Sequence, residues 1–168
     1  MRALLFSIDT FMTSFLRHFL VTAFLACSCV VAFGACSDAA APGVDWQGCV
    51  KKDGINLEGA DLTGANLADV QLRFAKLRGS NLSNANLSHA NLIGADMSRA
   101  KVTMVDLQDA VLYIANLTDA NVSQSRLNRV NLIGARLTNT DFTNTNLTGA
   151  TGIDGKSSCA SVSVGICR

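Results

Sequence analysis

The chain has few aromatic residues, one proline and little histidine. Aromatic residues make up 6% of its 168 residues, with one Trp and one Tyr, although 49% of all residues are hydrophobic. Large rings are too rare to fill a core of this size, so the core must be aliphatic. Basic and acidic residues nearly balance, giving a formal net charge of +1. A balanced chain lacks the basic stripe that is typical of nucleic-acid-binding proteins.

Chemically reactive side chains are also scarce. After residue 35 the sequence contains one His (His89), one Glu (Glu58) and one Tyr (Tyr113). It has no phosphate-binding loop, no Ser-His-Asp set and no cysteine cluster with metal-ligand spacing. We therefore predict no catalytic activity, no cofactor and no metal. Asp69, His89 and Asp109 recur at intervals of twenty residues. Asp109 also lies twenty residues before Arg129, so we interpret this column as an ordinary charge-paired surface rather than as a set of zinc ligands.

The first 35 residues differ in composition from the rest. Arg17 and His18 precede the uncharged apolar run FLVTAFLACSCVVAFGAC, residues 19–36. A basic flank, an apolar run and small residues at its end are typical of a secretory signal. We predict that residues 1–35 are a signal peptide and that the protein is exported to the periplasm or held at the membrane as a lipoprotein.

The cleavage site leaves two alternatives for Cys36. The stretch FGAC, residues 33–36, resembles a bacterial lipobox, although Phe33 stands where Leu is usual. Lipidation of Cys36 would anchor the protein through several acyl chains. Cleavage after Gly34 or Ser37 would instead release a soluble periplasmic protein. The sequence favours neither alternative decisively.

Four cysteines follow the apolar run, at positions 36, 49, 159 and 167. Cysteines in an oxidising compartment form disulfides. If Cys36 is not acylated, two local pairs form, Cys36–Cys49 and Cys159–Cys167. If it is acylated, one of the remaining thiols is unpaired. A Cys159–Cys167 disulfide would fasten the C-terminal tail.

From Leu57 to Leu147 a large apolar residue occurs at every fifth position. Fifteen of these nineteen residues are Leu, and a smaller residue, most often Ala, stands two places before each. An α-helix would scatter the set around its circumference, because five residues turn it by about 140°. A continuous strand would place successive members on opposite faces. Neither backbone buries the set.

Short extended segments joined by corners do bury it. Residues two apart on an extended segment point the same way, so each large residue and the small residue before it face inward together. The second residue after the large one then lies at a corner. Gly, Asn or Asp, which tolerate positive φ, occupy twelve of these nineteen positions. Four corners close a square coil of twenty residues, and nearly five coils stack about 4.8 Å apart.

The stretches ADLTGANL (residues 60–67) and ANLIGADM (residues 90–97) resemble the A(D/N)Lxx motif of pentapeptide-repeat proteins. The resemblance covers residues 55–150 and implies an all-β fold, the right-handed quadrilateral β-helix. We therefore divide the chain into a signal peptide (1–35), a tether and N-terminal cap (36–54), the pentapeptide-repeat β-helix (55–150) and a C-terminal cap (151–168).

The stacked coils arrange the outward residues in four faces, of which one is apolar. Contiguous apolar surface usually marks a contact site, so we predict that this face docks a protein partner or a second copy. The alternatives for its cover are a membrane surface and the chain's own C-terminal tail. The predicted interaction residues are Phe74, Ile93, Val111, Tyr113, Ile114 and Ile133.

Two other functions known for solenoids fit the sequence less well. Some pentapeptide-repeat proteins resemble duplex DNA and bind topoisomerases, but a neutral, exported chain does not imitate phosphates. A column of Ser and Thr from Thr63 to Thr143 resembles ice-binding surfaces, but its companion column contains charged residues. We predict no nucleic-acid partner, and membrane contact only through the signal or a lipid anchor.

Overall fold

A computed structural model describes residues 35–156, which belong to one compact unit beginning at Ala35. Residues 1–34, in the predicted signal peptide, and residues 157–168, in the predicted C-terminal cap, lie outside the described residues. The described part contains one short 3-10 helix, Ala35–Ser37. Its extended segments are so short that each contributes a single isolated parallel bridge instead of a longer strand.

The bridges stack the chain into coils of twenty residues. Asn66 pairs with Asn86, and Asn86 pairs with Asp106, so one face is built from residues at this interval. The same interval joins every bridged pair from Asn56 to Thr151. The predicted square coil is therefore confirmed by the register of its ladder.

One pentapeptide of the central coils shows how the backbone polar groups are satisfied. The N–H groups of Leu82 and Asn84 donate to the following coil at 2.8 and 3.0 Å, and that of Asn81 donates to the preceding coil at 2.9 Å. The N–H of Ser80 closes the corner within its own coil at 3.1 Å. The N–H of Ser83 donates to the side-chain Oδ1 of Asn81 at 3.2 Å. All five donors are paired, as buried or ordered backbone requires.

The large residue of each pentapeptide points into a central column. From Leu62 to Leu127 every such side chain is completely buried. Leu137 and Phe142, in the last coil, are only partly buried. Burying each Leu contributes about 1.5–3 kcal/mol, offset by the entropy of ordering the chain. Each coil thus depends on its two neighbours for burial, as in other solenoids.

The corners have the conformation that the sequence predicts. All nineteen corner residues from Gly59 to Gly149 have positive φ. Seven of them are neither Gly, Asn nor Asp, and these include Phe74, Met104 and Ile114. A left-handed conformation costs such a residue roughly 1–2 kcal/mol. The ladder on both sides of each corner therefore imposes this conformation on unfavourable residues.

The coil stack begins before residue 55. Trp46 and Lys51 occupy the place of the large inward residue, and their N–H groups donate to Asn66 O at 2.8 Å and Gln71 O at 3.1 Å. Bridges in this first turn join residues twenty-one apart, because the segment before Ile55 holds one extra residue. Much of the segment 36–54, expected to be a tether and cap, is thus a coil in its own right.

The stack also continues past residue 150. Thr151 bridges to Asn131, and the N–H of Gly134 donates to the carbonyl of Ile153 at 2.9 Å. Residues 151–153, which we assigned to the C-terminal cap, therefore form part of the last coil.

A disulfide joins Cys36 to Cys49, whose Cα atoms are 5.4 Å apart. A sulfur in a disulfide cannot also carry a thioether-linked lipid, so this structure fits the non-acylated alternative for Cys36. It contains the first of the two pairings that the sequence left open. The second pair, Cys159 and Cys167, lies outside the described residues.

The disulfide holds the N-terminal segment against Lys51. Lys51 is buried, its Nζ lies 3.6 Å from the ring centroid of Trp46, and it donates a hydrogen bond to the carbonyl of Cys36. Burial lowers the pKa of Lys51, and the nearby carboxylate of Asp38 partly opposes this effect. A cation thus stands at a position where the later coils have Leu.

Candidate interaction surface

One face of the stack is apolar, and we define the apolar face as the outward side chains of residues 71–74, 91–94, 111–114, 131–134 and 151–153. The bridges hold these five rows in register. Phe74, Tyr113 and Ile114 are 44%, 42% and 47% exposed, whereas Ile93 and Ile133 are half-buried. All six predicted interaction residues lie on this face: Phe74, Ile93, Val111, Tyr113, Ile114 and Ile133.

Ile153 extends the apolar face by one row and was not among the predicted residues. Its side chain is 54% exposed, and it follows Ile133 in the column that also contains Ile93 and Tyr113. Ile153 could have been found in the sequence, because it lies twenty residues after Ile133. The five-residue pattern of large apolar residues is interrupted immediately before it, where Gly152 occupies the inward position.

The apolar face carries no charged side chain between Arg73 and Asp154 within the described residues. Its few polar members include Asn91, whose amide donates to Gln71 Oε1 at 2.9 Å. The charge-free region spans four coil spacings, or about 19 Å. A contiguous apolar region of this size is the most distinctive surface of the described chain.

The apolar face is level because its large and small corner residues fit together. A Cβ added to Gly94 would lie 2.5 Å from Cδ1 of Phe74, and one added to Gly134 would lie 3.0 Å from Cγ2 of Ile114. Phe74 and Ile114 therefore lie over the glycine of the following coil. Flat surfaces of this kind suit packing against another flat surface.

Phe74 and Ile114 occupy these positions in spite of strain. Their φ values are 56° and 53°, and such values are rare for bulky residues, above all for β-branched ones. The same conformation occurs at five corners on other faces that are not Gly, Asn or Asp, among them Met104 and Gln124. Exposure, and not strain, therefore singles out the apolar face.

The predicted hydroxyl column forms a hydrogen-bonded network along its own face. Thr63 Oγ1 donates to Asp61 at 2.5 Å, Ser83 Oγ donates to Asn81 at 2.7 Å, and Ser83 and Thr103 lie 3.0 Å apart. The bond from Thr63 lowers the pKa of Asp61. These hydroxyls are bonded to their neighbours and do not form a free lattice that could match ice.

In the column of Asp69, His89 and Asp109, Asp109 forms a charge pair with the next coil. Arg129 Nε and Nη2 donate to the two carboxylate oxygens of Asp109 at 2.7 and 2.6 Å. This hydrogen bonding lowers the pKa of Asp109 and raises that of Arg129. Among the described residues, no three His, Cys, Asp or Glu side chains converge as a metal site.

A shallow groove of about 330 Å³ runs along another corner of the stack, and its lining includes Met104, Asp106, Gln124 and Arg126. Its two charged groups neutralise each other, because Arg126 Nη1 lies 3.1 Å from Asp106 Oδ2. The groove therefore offers no unpaired acid, base or nucleophile.

Asn and Asp at the position before the large residue have a role that we did not predict. Asn116 Oδ1 accepts from the N–H of Thr118 at 3.1 Å and from its hydroxyl at 2.7 Å. The equivalent bond recurs in most repeats that have Asn or Asp there. The motif itself indicates this role, because Asn and Asp side chains commonly accept a hydrogen bond from the backbone N–H two residues later.

No helix within residues 35–156 has both the length and the apolar character to cross a membrane.

None of the curated proteins compared with the chain matches it. The family model for pentapeptide repeats matches it in eight copies, at residues 53–79, 65–103, 75–112 and 115–151, which together cover more than half of the chain.

Solved structures with a similar fold are described as pentapeptide repeat proteins. Rfr23 from the cyanobacterium Cyanothece 51142 is 28% identical, with a TM-score of 0.48, over 63% of this chain and 85% of that one. HetL from Nostoc sp. strain PCC 7120, described as involved in heterocyst differentiation regulation, is 25% identical, with a TM-score of 0.38, over 71% and 73%. A protein from the Arabidopsis thaliana thylakoid lumen is 24% identical, with a TM-score of 0.36, over 65% and 72%. The family model matches more than half of the chain, and the bridges repeat at the twenty-residue interval of a four-sided coil. The chain therefore belongs to the pentapeptide repeat family, whose fold is the right-handed β-helix.

Proposed function

We propose that the chain is a non-catalytic interaction module of the cell envelope, which docks a protein surface through its apolar face. The observation that carries this proposal is the charge-free surface around Tyr113, bounded by Arg73 and Asp154. A soluble rod gains nothing from exposing aromatic and aliphatic side chains unless they are covered in use.

The pairing of charged groups among the described residues supports a non-catalytic role. Asp109 and Arg129 bind each other, as do Asp106 and Arg126. These four groups are therefore occupied by structural pairs. Catalysis requires reactive groups brought together in a pocket, and the groove does not provide them.

The location outside the cytoplasm is supported by the N-terminal sequence and by one bond. Residues 19–36 have the apolar character of a secretory signal. Cys36 and Cys49 are paired, and structural disulfides persist mainly in oxidising compartments. Intact mass of the protein recovered from the envelope tests export, cleavage and the absence of acyl chains together.

Capture from an envelope extract tests the docking surface. The bait is the purified protein, and the test variant is Ile93→Asp with Tyr113→Asp. The matched control is Ser88→Asp with Asn128→Asp, which places the same charges at the same repeat position on a neighbouring face. We expect one protein, identified by mass spectrometry, to be retained by the wild type and the control but lost from the test variant. Equal retention by all three would contradict docking through the apolar face.

A further inference from the structure

We propose that the apolar face binds a second copy of this chain, in an antiparallel dimer with its two-fold axis at the 111–114 row. This inference rests on the proposed function and names the partner. It is carried by the symmetry of the apolar face along the rod and by the charges at its two ends, and the exposed area sets the expected affinity.

The rows on either side of the centre are identical. Residues 91–95 and 131–135 both read NLIGA, and they lie one coil before and one coil after the row that contains Tyr113. In this dimer the two-fold axis lies in the plane of contact and is perpendicular to the direction in which the coils stack. It therefore reverses the order of the rows between the two copies. Residues related by the twenty-residue interval still face residues of the same column in the second copy. Ile93 of one copy then meets Ile133 of the other, and Tyr113 meets Tyr113. Closed two-fold contacts of this kind are the commonest in homo-oligomers.

Each end of the apolar face carries charges of both signs. Arg73 and Asp53 stand at the N-terminal end of the apolar face, with Arg73 Nη1 3.9 Å from Asp53 Oδ2. Asp154 and Lys156 follow the last row at the other end. In the antiparallel arrangement Arg73 approaches Asp154 of the second copy at both ends of the contact. A parallel arrangement would instead place Arg73 against Arg73.

The exposed area predicts a weak dimer. A Phe or Tyr side chain offers about 150–250 Å² in total, so Phe74 and Tyr113, at 44% and 42% exposure, each leave roughly 60–110 Å². Seven apolar side chains then offer on the order of 500 Å² per copy, below the roughly 800 Å² of a standard interface. We therefore expect a dissociation constant in the micromolar range.

Sedimentation velocity over about 1–500 µM tests the dimer. Wild type should show a concentration-dependent dimer, and Tyr113→Asp should raise its Kd at least tenfold. Ser88→Asp, on the neighbouring face, should leave the Kd unchanged. Thermal unfolding of each variant checks that the monomer is intact.

Charge exchange tests the antiparallel orientation. Arg73→Asp and Asp154→Arg should each raise the Kd by about threefold to tenfold, because each creates a like-charge contact. Combining both in one chain should return the Kd to within about twofold of wild type. A parallel dimer gives no such restoration, and that result would overturn the proposed orientation. Arg99→Asp, on another face, controls for net charge.

The outcomes separate this inference from the proposed function. A wild type that stays monomeric throughout overturns the dimer. If Ile93→Asp with Tyr113→Asp still loses a captured envelope protein, the proposed function stands with a different partner. If the wild type is monomeric and capture is also unaffected, both proposals fail, and a cover formed by the chain's own tail gains support.

Discussion

The ring of Phe74 lies over Gly94, so close that a Cβ on Gly94 would stand 2.5 Å from Phe74 Cδ1. Gly94 therefore serves two purposes, the left-handed corner at φ 65° and the space for the ring. The large residue of one coil occupies the gap left by the small residue of the next, and this contact keeps the apolar face level.

Gly94→Ala should destabilise the protein more than the same change at a corner without a ring above it. Gly64 is the control, because it has φ 67° and no atom within 4 Å of an added Cβ. We expect Gly64→Ala to cost about 1 kcal/mol, because Ala is disfavoured in the left-handed conformation. Gly94→Ala should cost about 2–3 kcal/mol, since it also displaces the ring. Chemical denaturation measures both, and equal costs would show that Phe74 moves aside freely.

Removing the Asn side chain that precedes a large inward residue should destabilise the coil, because its hydrogen bonds are lost. Asn116 accepts two hydrogen bonds from Thr118 and donates to Asp96 at 3.0 Å. Asn116→Ala should therefore cost about 1–2 kcal/mol of unfolding free energy. Lys101→Ala, at the same repeat position without such a bond, should stay within about 0.5 kcal/mol of wild type. The role assigned to the amide fails if both substitutions have the same effect.

Acid should weaken the solenoid through its aspartates. Side-chain and backbone hydrogen bonds from Thr63 and Thr143 lower the pKa of Asp61 and Asp141 below the ordinary value of 3.8. A carboxyl whose pKa is lower in the folded chain stabilises the fold above its unfolded pKa. It loses that contribution as the pH falls through the folded pKa.

Replacing both residues by Asn tests this acid dependence. At the equivalent position one coil after Asp61, Asn81 accepts the same two bonds from Ser83. Asp61→Asn with Asp141→Asn should therefore leave Tm nearly unchanged at pH 7 and reduce its fall as the pH drops below about 4. Melting curves across this range check the prediction, and an unaltered acid slope would contradict it.

Reduction of the Cys36–Cys49 disulfide should loosen the N-terminal coil. The bridge closes a loop with a sequence separation of 13 residues, and loop entropy predicts a loss of about 3 kcal/mol on its removal. Trp46 is the only tryptophan and is almost fully buried. Its fluorescence should therefore shift to the red on reduction. An unchanged spectrum after confirmed reduction would show that the first coil holds without the bridge.

The core and the corners could be predicted because each follows from one residue type at one spacing. Leu82 and Leu87 are inward because of the five-residue period, and positive φ at Asn84 follows from the closed coil. Lys51 could not be predicted as a core-facing residue, because a cation does not count as apolar and the next step, to Leu57, is six residues. The inward position of Lys51 follows from the register of the β-bridges, which depends on pairing between coils and not on the local sequence.

The candidate surface was partly predictable. Twenty-residue spacing alone places Ile93, Tyr113 and Ile133 in one column. The packing of Phe74 over Gly94 depends on side-chain direction at a left-handed corner, which spacing does not specify. The pairing of Cys36 likewise depends on where the first coil brings Cys49.

Hydroxyl-radical footprinting in the native envelope tests the central claim, that the apolar face is covered in use. Tyr113 on that face and Met104 on a different corner are both more than two-fifths exposed, and both side chains react with oxidants. We predict that Tyr113 is labelled several-fold less in the envelope than in dilute purified protein, while Met104 is labelled equally in both. Equal labelling of Tyr113 in the two samples would contradict the claim.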